Sequence, residues 1–310
     1  MRESPQSNIA PPRWQVILAF AAVYFIWGST YLGIRVAVET IPPFTMAGSR
    51  ALVAGTLLYL WSRSRGAEKP KAIHWRGATV VGGFLLLGGN GLLSWAEQRV
   101  PSGVSALLIG SVPLWMVLLE WLWHSGPRPT VGIVFGLVVG FAGLGFLVAP
   151  GKLGNSSAVN LSGAGVLLLA AFFWAIGSLY SRRAPLPASK LLGAAMEMFG
   201  GGALLLIVGA AIGEWRHFEF AHVSVHSAIA WLYLSIIGSL VAFTAYVWLL
   251  KATTPARVST YAYVNPVVAV FLGWAFANEP ITTRTMSAAL AIIVAVVIIV
   301  TRAHEAPTET

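Results

Sequence analysis

The chain has 310 residues, of which 57% are apolar and only 10% charged, with a mean hydropathy of +0.75 and a formal charge of +9. That balance excludes a soluble globular protein and places the chain in the membrane class, where about 20 apolar residues rising about 1.5 Å each cross a hydrocarbon layer roughly 30 Å thick. The absence of cysteine excludes a disulfide framework and a thiolate site.

Residues 1–13 read as a polar tail. The first predicted span, 14–36, is too long for a signal-peptide core and reads as a retained anchor; it carries Trp27, Gly28, Ser29 and Tyr31. The second, 44–62, carries Arg50. The third, 76–96, carries Gly88, Gly89, Asn90, Gly91 and Ser94 and ends at Glu97. The fourth, 101–123, holds Ser111, Pro113 and Glu120, and the fifth, 130–148, holds Gly136 and Gly140. These five make one unit, 14–148, joined by a connector, 149–161, to a second unit, 162–302, and a short tail, 303–310. The second unit's spans are 162–181 with Trp174 and Ser178, 189–212 with Glu197, 226–250 with Phe243, 257–277 with Tyr263, Asn265 and Pro266, and 284–302; Lys251 follows the third of them. The connections are too short for an extramembrane module, so soluble catalysis and nucleic-acid binding have nowhere to reside.

The second unit repeats the first. Trp27, Gly28, Ser29 and Tyr31 return as Trp174, Gly177, Ser178 and Tyr180, and Val100, Pro101, Ser105, Pro113 and Trp121 return as Thr254, Pro255, Ser259, Pro266 and Trp274. Five crossings per copy force the second copy to enter the membrane upside down. Such inverted repeats with broken or bent helices are the architecture of secondary transporters, in which one half rocks against the other around a site at mid-depth. Orientation follows from the basic residues. Of the 20 Lys and Arg, only Arg35, Arg99, Lys152, Arg216 and Arg284 fall on one side and Arg50 lies within a span; the remaining fourteen fall on the other, which puts both termini in the cytoplasm.

Trp27 and Trp174 lie near mid-depth, away from the headgroup belts where tryptophan usually sits. They read either as packing rings beside small neighbours or as two aromatic walls around a solute. Aligning Pro101 with Pro255 sets Asn90 opposite Thr244 and Glu97 opposite Lys251, so small polar groups recur at one internal level. Pro113 and Pro266 free a carbonyl one turn earlier and bend their helices, as static kinks or as hinges, where protein or a cavity supplies partners. Arg50 and Glu197 place opposite charges at equivalent positions of the second and seventh spans. A charge costs about 2.5–3.5 kcal/mol at the bilayer centre, so a structural ion pair or separate polar contacts are expected ahead of proton coupling. Glu120 is expected to be solvated near the headgroups. The glycine pairs Gly136/Gly140 and Gly209/Gly213 read as close helix packing.

An intramembrane enzyme would need a catalytic set within the spans, but the six histidines all lie in connections or at span ends and there is no aspartate. A channel would need a filter of carbonyls or like charges, and no such repeated element occurs. No metal or cofactor site is expected.

The strings IWGSTYLGIR from Ile26, NGLLSWAEQRVPSGVSALL from Asn90, PLW from Pro113 and YAYVNPVVAVFLG from Tyr261 resemble the EamA family of the drug/metabolite transporter superfamily, above all its YedA-like branch. The resemblance runs from about residue 14 to 302. It implies an all-α membrane protein of ten helices in two inverted five-helix repeats, resident in a bacterial inner membrane with cytoplasmic termini. It also implies export of small metabolites through a cavity formed chiefly by spans 1, 3, 4, 6, 8 and 9. Carried over by position, the cavity residues are Trp27, Ser29, Asn90, Ser111, Trp174, Ser178, Phe243, Tyr263 and Asn265, with Pro113, Pro266, Glu97 and Lys251 as hinge or gate positions. An aromatic, hydroxyl-rich cavity suits aromatic or large neutral amino acids or amphipathic drug-like compounds. The expected partners are therefore a small-molecule substrate and the lipid bilayer, with protons left open as a coupling ion; a uniport-type facilitator or channel is the alternative.

Overall fold

The computed structural model describes residues 12–123, 130–149, 160–216, 218–253, 255–258 and 260–305. They form helices and connections, without a strand among the described residues. This is what a lipid-embedded chain demands, because only intrasegment hydrogen bonding satisfies a single chain's backbone in hydrocarbon without closing a barrel. We number the helical rods α1 (Arg13–Ala37), α2 (Pro43–Ser64), α3 (Ala72–Ala96), α4 (Ser102–Ile109 and Val112–Trp123), α5 (Val131–Val148), α6 (Leu161–Ser181), α7 (Lys190–Ala211), α8 (Val225–Ala252), α9 (Tyr261–Ala277) and α10 (Thr283–Glu305). Eight of them contain segments long and apolar enough to cross a membrane; α2 and the 17-residue α9 fall outside that set. Side-chain caps start several rods: Thr130, Asn160, Ser189 and Ser224 accept from the amides of Ile133, Gly163, Leu192 and Ser227.

Two rods change pitch at matching depths. In α3 the residues Gly83–Gly91 form a π-helix, and in α8 the residues Leu234–Val241 do the same, each flanked by ordinary α-helix. A π-turn is wider than an α-turn and is concentrated at functional sites. Hydropathy periodicity carries no mark of it.

Polar contacts gather the ends of α1, α3, α5, α7 and α9 with the beginnings of α2, α4, α8 and α10 at one end of the bundle. Arg35 bonds the Glu97 carbonyl, Glu214 meets Phe44, Glu279 meets Ser102, Arg284 meets Phe146, and Ser227 meets Val36. The start of α6 joins them, since a Cβ on Gly163 would lie 2.5 Å from Val100. The first rod of one unit therefore finishes where the first rod of the other starts, which is an inverted repeat. Packing obeys the same exchange. Rod α1 packs on α8 and α9 as α6 packs on α3 and α4, while α2 packs on α7, α5 on α10 and α4 on α9. The Gly136 and Gly140 faces serve α5 against α10, with Ala295 under both, so this glycine pair mediates a contact within the chain. Gly209 faces Phe44 and Glu214.

Several expectations change. No ion pair joins Arg50 to Glu197 among the described residues; Arg50 Nη2 instead donates to Asn90 Oδ1 at 2.5 Å, and the Glu197 backbone packs against Gly82. The two charges start about ten ångströms from opposite ends of antiparallel rods, too far to meet. Glu120 has a partner, Arg182, at 3.0 Å, although both side chains are about half exposed and the pair contributes little. The bend in α4 falls at Gly110–Ser111, just before Pro113, whereas Pro266 lies inside a continuous α9. The Lys251 side chain lies outside the described residues.

Candidate functional site

The end where Glu97 lies is closed by carboxylates seated on helix starts. Glu214 accepts from the Phe44 amide at 2.9 Å, the Thr45 amide at 2.8 Å and the Thr45 hydroxyl at 2.7 Å. Glu279 accepts from the Ser102 and Gly103 amides at 2.6 and 3.0 Å. Both satisfy first-turn N–H groups that lack intrahelical partners, and both place a negative charge where the helix dipole favours it. Each clasp also ties a rod of the first unit to the second. Trp215 adds a 3.0 Å bond to the Thr45 hydroxyl, and Arg284 bonds the carbonyls of Phe146 and Ala149. Glu214 reaches Phe44 because Gly213 turns the chain back with φ +86°, a conformation that a Cβ penalises. We call this the latched end.

Below it, each unit sets its mid-depth tryptophan against the other unit's π-turn. Trp27 Nε1 donates to the Gly238 carbonyl at 3.3 Å, and its ring packs on Tyr246 and Tyr261 at centroid distances of 5.2 and 5.1 Å. Phe243 joins through Tyr246 at 6.2 Å. Trp174 lies over Gly89, where an added Cβ would come within 2.6 Å of the ring. Gly89→Ala should therefore lower stability by about 1–3 kcal/mol through overpacking. Gly165→Ala, with open space around the new methyl, should not; thermal melts of the two variants check this.

The candidate residues divide into groups. Trp27 and Phe243 share the aromatic cluster on α8, while Trp174 packs on Gly89 of α3. Ser29 donates to Ile26 at 2.8 Å and accepts from the Tyr233 hydroxyl at 2.6 Å, which fills its oxygen. Ser111, fully buried, donates to Leu108 within the α4 break. Asn265 and Pro266 lie beside it: a Cβ on Gly110 would be 3.3 Å from Pro266 Cγ, and one on Gly28 would be 3.2 Å from the Asn265 carbonyl. Rods α1, α4 and α9 thus converge at one level, where Asn265 is 7% exposed and its Oδ1 has no partner. An orphaned buried acceptor costs about 1–3 kcal/mol, so this is a place that favours a ligand donor. Ser178 and Tyr263 are half-buried.

An apolar cavity of about 770 Å³ opens at the opposite end, between the start of α1, the end of α2 and the end of α8, with Trp14, Trp61 and Trp248 around it and Thr244 its nearest link to the candidate set. A second, of about 420 Å³, lies among Trp115, Phe141 and Leu168. Sequence reasoning missed the two latch glutamates. Their signal was a Gly-Glu or Asn-Glu step directly after a span.

The EamA-like transporter family model matches this chain twice, over residues 13–149 and 161–301. The chain is 38% identical over 284 residues to the uncharacterized inner membrane transporter YedA of Escherichia coli K12, covering 91% of this chain and 89% of that protein. It is 24% identical to the uncharacterized transporter YvbV of Bacillus subtilis, over 94% of this chain and 93% of the relative. A crystal structure of a protein 18% identical in sequence superposes with a TM-score of 0.61, covering 95% of this chain and 99% of that one, a likeness of fold alone. The repeated match agrees with the exchange symmetry of the packing, and the chain belongs to the EamA-like transporter family, whose members are transporters rather than enzymes.

Proposed function

We propose that the protein exports small solutes with an apolar or aromatic body, such as aromatic or large neutral amino acids or amphipathic drug-like compounds, by alternating access across a bacterial inner membrane. The observation that carries this reading is the asymmetry between the ends: five hydrogen bonds to two carboxylates join the units at one end, while at the opposite end a half-exposed Arg182–Glu120 pair joins them. The positive-inside bias makes the latched end external and the termini cytoplasmic. The conformation is then closed outward, and transport requires the clasps to release. The break at Gly110–Ser111 gives α4 a place to bend.

The repeat supplies the opposite latch. The offset that aligns Ala47–Arg50 with Ala194–Glu197 also aligns Gly66 with Gly213, and both glycines have left-handed φ, +85° and +86°. Glu68 then falls one residue from the place of Glu214, exposed and adjacent to the cytoplasmic end. In the outward-open state it caps the first turn of α7, as Glu214 caps α2 here.

Purified protein in proteoliposomes tests the reading. Saturable uptake accelerated by unlabelled solute on the far side is expected; linear flux without that acceleration would mean a pore.

A further inference from the structure

Two buried ionisable groups near the latched end form no ion pair among the described residues. Arg50, 9% exposed in α2, gives one N–H to the neutral amide of Asn90, and no carboxylate lies within ion-pair distance among the described residues. A guanidinium has five N–H donors in a fork shaped for a carboxylate. Glu97, at the end of α3, is fully buried, and neither of its carboxylate oxygens has a hydrogen-bond partner. The two groups are near enough to interact electrostatically, yet they do not pair.

The helices account for this spacing. Asn90 and Glu97 are seven residues apart, two turns along one face of α3, and helical side chains lean toward the N-terminus, which aims Glu97 back toward Asn90. Arg50 is held at the Asn90 level. The gap between guanidinium and carboxylate is therefore too wide for a direct pair. A ligand carrying both charges would bridge it with one charge-assisted hydrogen bond of about 2.8 Å to each group.

We propose that Arg50, Asn90 and Glu97 form a subsite for a zwitterion, with Arg50 and Asn90 receiving its carboxylate and Glu97 its primary ammonium group. The assignment rests on the carrier reading and names the charged ends of its cargo. Two other ionic groups face Glu97: Arg35 of α1, which gives one N–H to the Glu97 carbonyl, and Glu279, which accepts from the Ser102 and Gly103 amides. Tyr31 contributes a neutral hydroxyl beside Glu97. A zwitterion adds no net charge to this low-dielectric interior, whereas a simple amine or a simple acid adds one.

The test uses the full-length protein in nanodiscs and three probes with one ring and different ends: L-phenylalanine, phenethylamine and 3-phenylpropionate. L-Phenylalanine is expected to bind at least 10-fold more tightly than either of the others. Arg50→Gln should weaken L-phenylalanine about 10-fold and leave phenethylamine unchanged; Glu97→Gln should weaken it similarly and leave 3-phenylpropionate unchanged. Equal affinity for the three probes, no binding of any, or a uniform loss in both variants would overturn the subsite. The wild-type comparison stands even where a variant fails to fold. Saturable flux of an uncharged solute with no amino-acid binding would remove this subsite while keeping the carrier reading; absence of saturable flux of any solute removes the carrier reading itself.

Discussion

Glu214→Gln combined with Glu279→Gln should open the latched end: a thiol placed at Ser105, fully buried here, should react with a membrane-impermeant maleimide about 30-fold faster than in the parent. Five hydrogen bonds to ionised carboxylates hold the closed arrangement, three at Glu214 and two at Glu279. Bonds to charged groups contribute roughly 1.5–3 kcal/mol each in favourable settings, and glutamine keeps an acceptor oxygen without the charge. A net shift of about 2 kcal/mol moves a two-state equilibrium about 30-fold. Glu68→Gln weakens the opposite latch and should slow the same labelling. Equal rates in all three proteins would show that the clasps do not govern access.

Trp27→Ala should have the second large effect, on stability and transport together. The side chain contributes two ring pairs, with Tyr246 and Tyr261, and the donor for Gly238. Aromatic pairs contribute about 0.5–1.5 kcal/mol each, and an orphaned carbonyl costs about 1 kcal/mol or more, so a loss of about 2–4 kcal/mol is expected. Trp27→Phe keeps one aromatic ring and loses the N–H with the second ring, so its melting temperature should fall between those of Trp27→Ala and wild type. If Trp27 also touches solute, the Phe variant should raise KM more than its small stability loss explains. A Trp27→Ala melting curve that matches wild type would show that this cluster does not tie α1 to α8.

The apolar runs placed the rods because hydrocarbon dictates helix length, and flanking polar residues placed α2 although its two arginines lower its apolarity. The repeat was legible in Trp27/Trp174 and Pro101/Pro255, since duplicated positions keep duplicated packing. The π-turns were not legible, because glycine-rich apolar stretches such as Gly83–Gly91 read alike at either pitch. For Arg50 and Glu197 the sequence left an ion pair and separate polar contacts both open; rod length set the two apart, and Asn90, on the adjacent rod, was within reach of Arg50. The latch glutamates escaped because an acidic residue in a short connection normally faces water, and only the three-dimensional approach of a helix start gives it another role. Trp27 and Trp174 stood out in the sequence, yet their partners are the π-turns, which no residue-type pattern announces.

Spin-label distances between cysteines introduced at each end of this cysteine-free chain test the account most directly, because they need no known substrate. One pair, at Glu39 and Glu219, spans the latched end; the other, at Arg65 and Arg183, spans the opposite end. The account predicts two distances for each pair, with Glu214→Gln plus Glu279→Gln moving the first pair toward the longer and the second toward the shorter. A single unchanging distance at the latched end, in parent and variant alike, would contradict it.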